Sequence, residues 1–368
     1  MADKTARNPA MDIIRSCALL FVIAVHFFLN NGYYNQPVEG VRMVAFTFIR
    51  AFLMICVPLF MMLSGYLMMR KTVSRAYYKK IVYILIIYAL ASLCCVGYKV
   101  LVAGEPFGWL PFIRGFFAYT NAPYAWYVEM YIGLFLLAPL LNVLYNGLGS
   151  KRHKQVLIGT LLFLTALPYV LNIFIPDGAW FLNPTSSADY YKIVPSYWTG
   201  LYPFTYYFLG CYLREYPLPL RPRTIALLSG GVFLLDGAFN VYRSYGVKFI
   251  WGGWQQYGSL LIVAQAVLFF AFFANLQYDR FPRPLATLFR VVSELSFGAY
   301  LVSWIFDQIF YKLLNDSVGE MPRRLTYMPL IVMAVLVCSV ALSALLESIY
   351  RGGAQLLNRV KHSASNKE

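Results

Sequence analysis

Long apolar runs alternate with short polar connections from one end of the chain to the other. Ten such runs stand out, at about 12–31, 44–69, 81–103, 124–145, 156–175, 200–213, 224–241, 257–277, 291–311 and 326–349. A helix crosses the ~30 Å hydrocarbon core of a bilayer with ~20 residues at ~1.5 Å each. The pattern therefore predicts an all-α polytopic membrane protein of about ten transmembrane helices. A short N-terminal tail, 1–11, precedes a single membrane domain, 12–350, and a tail, 351–368, follows it. The leader MADKTARNPA lacks a small-residue cleavage signal, so the first span is expected to be retained. No repeat of 20 to 50 residues and no inverted half-to-half symmetry is visible, which weighs against the build of many secondary transporters.

Composition agrees with that pattern: 60% of the 368 residues are hydrophobic and only 13% are charged. A net charge of +15 would point to nucleic acid in a soluble chain, but its distribution assigns it to topology. With the N-terminus cytosolic, 21 of the 31 basic residues fall in connections on the cytosolic side and nine on the other, with Arg50 inside the second span. That is the positive-inside pattern; it places both termini in the cytosol of a cell membrane and leaves no call for a nucleic-acid partner. The six cysteines all lie in apolar runs and form no CxxC, so they read as small buried hydrophobes.

Candidate chemistry starts in the first span, MDIIRSCALLFVIAVHFFLNN, which carries Arg15 and His26. Eleven residues at ~100° each return His26 to within ~20° of Arg15 and ~16 Å further along the helix, so both face the same way. Ionisable groups inside a membrane cost a few kcal/mol or more, and two on one stripe point to a polar cavity. The residues alone leave open the plainer alternatives: Arg15 snorkelling to the headgroups, and His26 as a satisfied core imidazole. With His153 and His362 in polar surroundings, no histidine-based metal site is expected.

Further along, RKTVSRAYYKK, residues 70–80, sets five cations at the mouth of the second and third spans. Topology alone accounts for such a cluster; its functional reading is a phosphate site for a soluble donor such as a coenzyme A thioester. The second span ends VPLFMMLSGYLM, where Pro58 loosens the helix and Ser64 and Gly65 permit close approach of another backbone or a ligand. Arg50, Glu129 and Asp236 are further intramembrane charges that must each find a partner or water. Six of the seven tryptophans fall in 107–126, 180–198 and 249–257, on the side opposite the basic excess. A belt that only anchors helices appears at both interfaces, so this lopsided one also suits the apolar faces of sugar rings.

Taken together these stretches resemble membrane-bound acyltransferase family 3, whose members acylate cell-surface and secreted glycans. The likeness runs in order through Asp12, Arg15 and His26, then VPLFMMLSGYLM, WYVEMYIGLFLLAPLLN (Trp126 to Asn142), YYFLGCYLRE (Tyr206 to Glu215) and SELSFGAYLVSW (Ser293 to Trp304). Two positions depart from the family's pattern. Ser303 stands where a histidine is frequent, and Tyr83 follows Lys80 where a second arginine commonly completes R-x-x-R.

The resemblance implies acetyl-CoA as donor, a glycan or lipid-linked saccharide as acceptor, and a stand-alone membrane O-acyltransferase working among membrane lipids. On that reading His26, Arg15 and Asp12 are catalytic, with Asp12 orienting Arg15. Arg75, Lys79 and Lys80, with Arg15, hold the donor, and Trp126, Glu129, Tyr131 and Ser64 meet the acceptor. A transporter or flippase of a lipid-linked sugar is the competing expectation, and an assembly scaffold a third.

Overall fold

The computed structural model describes residues 7–172, 182–185 and 192–365, with side chains described to residue 356. The first six residues and Trp180, which belong to the basic leader and to one aromatic stretch, lie outside the described residues. Among those described, nine helices are long and apolar enough to cross a membrane and there is no strand.

Helix α1 is Pro9–Asn30, opened by Asn8, whose side chain accepts from the Ala10 N–H. The second run is two helices, α2 (Gly40–Leu53) and α3 (Cys56–Met68), with the break at Met54–Ile55. Pro58 has no N–H to give the carbonyl four residues back. The ladder tightens there instead, and the Met54 and Ile55 N–H groups bond Ala51 and Phe52, three residues away. After the one-turn helix α4 (Arg75–Tyr78) come α5 (Ile81–Leu101), the short α6 (Trp109–Phe117), α7 (Trp126–Gly147), α8 (Lys151–Thr165) and the one-turn α9 (Pro168–Leu171).

The sixth expected span is the short one. Helix α10, Tyr202–Glu215, has 14 residues and covers only ~21 Å, but the five-residue 3₁₀ turn Tyr197–Leu201 adds ~10 Å. Helices α11 (Pro222–Ser244), α12 (Leu260–Ala274), α13 (Arg283–Ser317), the one-turn α14 (Met321–Arg324) and α15 (Met328–Ser365) complete the chain. Helix α15 continues to Ser365, through the stretch expected to be a tail.

Helix α1 sits at the centre, packed on α3, α13 and α15. Its flanks are almost all apolar and buried, from Ala10 to Phe28, so it is a core helix and not a lipid-facing one. Around it the helices touch through small residues. A Cβ on Gly65 would lie 1.9 Å from the Tyr207 carbonyl oxygen, and one on Gly210 2.0 Å from that of Met62, so α3 and α10 cross backbone to backbone.

The intramembrane charges find partners of different kinds. Arg50 is enclosed by the rings of Tyr34, Phe249 and Trp251, 4.5 to 5.8 Å from its guanidinium carbon, and its Nε donates to the Tyr34 hydroxyl at 3.0 Å. Asp236 accepts from Asn240 at 3.0 Å, whereas Glu129 is exposed on the outer face of α7.

Candidate functional site

Five helices converge on one cavity of about 480 Å³. Helix α1 contributes Arg15, Val22, Val25, His26 and Leu29; positions 15, 22, 26 and 29 recur at helical spacing and form a single stripe. The shared face expected of Arg15 and His26 is the face turned into this space. Helix α3 adds Cys56, Val57, Phe60 and Ser64, and α7 adds Trp126, Tyr127, Tyr131 and Phe135. Lys80 and Tyr83 come from the start of α5, Ser293, Glu294, Ser296, Phe297 and Tyr300 from α13, and Tyr257 from the loop before α12.

Polarity is divided along the cavity. Arg15, Lys80 and Glu294 lie toward the side on which the chain begins, ~16 Å of helix away from His26. At the other end His26 stands among Val22, Val25, Leu29, Val57 and the aromatic pair Trp126 and Tyr257, whose rings are 6.0 Å apart and 15° from parallel.

His26 is 8% exposed, and its Nδ1 is 3.6 Å from Oδ2 of Asp307, a residue 1% exposed on α13. That separation exceeds a hydrogen bond, and among the described residues neither His26 Nδ1 nor Asp307 Oδ1 has a hydrogen-bond partner. The Tyr124 hydroxyl donates to Asp307 Oδ2 at 2.7 Å, and the Tyr124 ring lies against the imidazole with centroids 3.7 Å apart. Tyr124 is itself fixed by the Tyr300 hydroxyl on its carbonyl. With Nδ1 turned toward the carboxylate, Nε2 is the nitrogen left for the cavity. The arrangement suits a general base: a ring oriented from behind and free in front.

At the opposite end the hydrogen bonds differ from expectation. Asp12 makes no hydrogen bond to Arg15 among the described residues. Its two oxygens accept from Arg7, at 2.6 and 2.7 Å, and Arg7 reaches on to Glu294. Donating to the Asp12 carboxylate raises the Arg7 pKa above its ordinary value. The reason is geometric, because Arg7 approaches from the chain ahead of the helix, along the first turn where Asp12 points. Arg15, one turn further in, is left with a long 3.4 Å contact to the Ser293 hydroxyl. Among the described residues its guanidinium is therefore largely uncommitted to hydrogen bonds within the cavity.

Of the expected phosphate contacts only Lys80 lines the cavity; Arg75 and Lys79 are exposed on the same segment. That segment is anchored through Tyr77, whose hydroxyl donates to the Phe135 carbonyl at 2.6 Å and whose ring stacks on Phe135 at 4.5 Å. Asn142 anchors its approach by donating to the carbonyls of Met68 and Lys71, both at 2.7 Å. Trp126, Tyr131 and Ser64, expected to meet the acceptor, line the cavity, and the Ser64 hydroxyl donates to the Phe60 carbonyl at 2.9 Å. Glu129 does not line it: ~200° around α7 from Tyr127, it faces outward. Ser303 donates to the Tyr300 carbonyl and is fully buried.

Asp307, Tyr124, Tyr257 and Ser293 stand at the site without being among the residues expected there from the sequence. Asp307 had a legible signal, a lone carboxylate in the apolar stretch SWIFDQIF, fourteen residues from Ser293 and so on its face. Tyr124 and Tyr257 had none, since both lie in connections whose course only the fold defines.

A family model described as an acyltransferase domain matches residues 8–346, nearly the whole chain. No curated protein and no solved structure matches it.

Proposed function

The chain belongs to acyltransferase family 3 and is a multi-pass membrane acyltransferase; we propose that it transfers an acetyl group from cytosolic acetyl-CoA to a hydroxyl of an envelope polysaccharide or lipid-linked glycan, in the cell membrane. The observation that carries this reading is one cavity holding an uncommitted Arg15 and Lys80 at one end and a carboxylate-backed His26 at the other. A transporter has no need of an oriented imidazole, and membership of an acyltransferase family sets that reading aside.

In this scheme Arg75, Lys79 and Lys80 meet the donor's phosphates, and Arg15 holds the donor where it enters the membrane. The thioester lies against His26 in the apolar end, from which water is excluded. His26 Nε2 accepts the proton of the acceptor hydroxyl as its oxygen bonds to the thioester carbonyl carbon. The carbon–sulfur bond breaks, and the imidazolium returns that proton to the departing thiolate, so the ring ends as it began. Asp307 closes on Nδ1–H as positive charge develops, since such contacts are often long before the substrate is bound. Trp126 and Tyr257 offer ring faces to the sugar.

The test is release of free coenzyme A thiol from acetyl-CoA by purified protein, dependent on added surface glycan, with mass spectrometry of glycans from cells with and without the protein. One acyl unit of mass difference is expected. Absence of both thiol release and mass difference overturns the reading.

A further inference from the structure

We infer that Tyr124 is a positioning residue for the transfer: it holds the His26–Asp307 pair in the arrangement that turns Nε2 toward the cavity. The inference rests on the acyl-transfer reading and adds to it a residue that does not itself line the cavity.

Asp307 has no packing reason to be where it is. Its side chain is wholly enclosed, and a carboxylate buried with a single hydrogen-bond donor weakens a fold instead of strengthening it. Among the described residues that donor is the Tyr124 hydroxyl, 2.7 Å from Oδ2, the same oxygen that stands 3.6 Å from His26 Nδ1. The last torsion of an aspartate is broad, so a carboxylate without a donor can turn either oxygen, or neither, to the imidazole. The hydroxyl fixes which oxygen meets Nδ1.

The direction of that hydroxyl is also set. Asn30 Nδ2 donates to it at 3.3 Å, and an amide nitrogen does not accept, so the phenolic proton is left to the carboxylate. The same Asn30 nitrogen donates to the His26 carbonyl at 2.8 Å, one turn back along α1. Tyr124 lies in the connection ahead of α7, outside any helix, and the Tyr300 hydroxyl on its carbonyl ties it to α13. Its ring lies against the imidazole, centroids 3.7 Å apart and planes 30° from parallel, which fixes the plane of the base. Hydroxyl and ring thus do separate things. One selects the edge of the imidazole that faces Asp307, the other the plane in which the imidazole lies, and phenylalanine would keep the second and lose the first.

Tyr124→Phe is therefore the test. Purified wild type, Tyr124→Phe, Asp307→Asn and the double variant are assayed for acylation of surface glycan, with kcat and the KM for acetyl-CoA measured for each. Tyr124→Phe is expected to lower kcat about tenfold with KM unchanged, the loss of one hydrogen bond to a charged group. In the Asp307→Asn background the same substitution should cost less than about twofold, because its effect runs through the carboxylate. A second readout needs no turnover. In ¹⁵N spectra of histidine-labelled protein, recorded above the ordinary histidine range, the His26 signals are assigned by their loss in His26→Ala. They are expected to show Nδ1 protonated and Nε2 bare in the wild type, and a mixture of both tautomers in Tyr124→Phe. An unchanged kcat in Tyr124→Phe, an equal loss with and without Asp307, or a tautomer that does not respond to the hydroxyl overturns the inference. A wild type that transfers no acetyl group overturns the acyl-transfer reading, and the positioning role with it, whatever the spectra show.

Discussion

At the scale of single residues the proposed chemistry rests on His26 and on what stands behind it. Replacing His26 with alanine removes the only imidazole among the described residues that line the cavity. General acid–base catalysis is typically worth ~10²–10⁴-fold, so His26→Ala is expected to reduce glycan acylation to background while membrane abundance is unchanged. Acylation measured beside an immunoblot of the membrane fraction checks this, and activity retained at normal abundance removes His26 from the mechanism. Asp307 makes a sharper case, because it touches no substrate. Asp307→Asn keeps the shape but can present an amide N–H to Nδ1, which favours the wrong tautomer. We expect kcat to fall by ~10²-fold with the KM for acetyl-CoA unchanged, and Asp307→Glu to recover part of the loss. A residue with only a packing role would instead lower the thermal midpoint of all three substitutions, Asp307→Ala included, in step with their activity. The spacing of Arg15 and His26 was enough to place them on one face, since helical geometry is a property of sequence distance. The carboxylate behind His26 came from a helix 281 positions away, a relation no local pattern contains.

At the scale of elements, glycine separates two physical uses that look alike in a sequence. Gly65 and Gly210 are contact points where α3 and α10 cross, and a methyl on either would fall about 2 Å from a backbone oxygen. Neither helix can yield by turning a side chain, because the obstacle is main chain. Gly65→Ala and Gly210→Ala are each expected to destabilise the protein by at least ~1–3 kcal/mol, whereas Gly133→Ala, with open space around it, is expected to be neutral or mildly stabilising. Thermal unfolding of the three variants in detergent, monitored by size-exclusion chromatography with fluorescence detection, orders them; equal midpoints would contradict the close crossing. The motif around Ser64 and Gly65 suggested close approach of a backbone, and that is what Tyr207 supplies. The break at Met54–Ile55 also follows from Pro58. Other features were not legible. Nothing in a ten-run hydropathy pattern distinguishes α10, whose α-helix covers about two-thirds of the hydrocarbon core, from a full span completed by a 3₁₀ turn, and none of it shows that Asp12 is claimed by Arg7.

At the scale of the whole molecule the division of the cavity is what gives the protein a direction. Arg15 and Lys80 belong to the side on which the chain begins, and Trp126 and Tyr257 to the opposite side, with His26 near the latter. On the proposed reading the excess of basic residues puts the first side in the cytosol. On that proposal an anionic donor too polar to cross the hydrocarbon core has its cations on one face of the membrane, and the sugar its aromatic rings on the other. Sealed vesicles test this sidedness directly. In inside-out vesicles that enclose acceptor glycan, acetyl-CoA added to the medium should acylate the enclosed glycan. Right-side-out vesicles of the same membranes should give no product from external acetyl-CoA until a pore-forming detergent admits it. Product in both orientations without permeabilisation would mean that donor and acceptor enter from the same face. The ~16 Å between Arg15 and His26 would then have to be explained as something other than the path of an acyl group through the membrane.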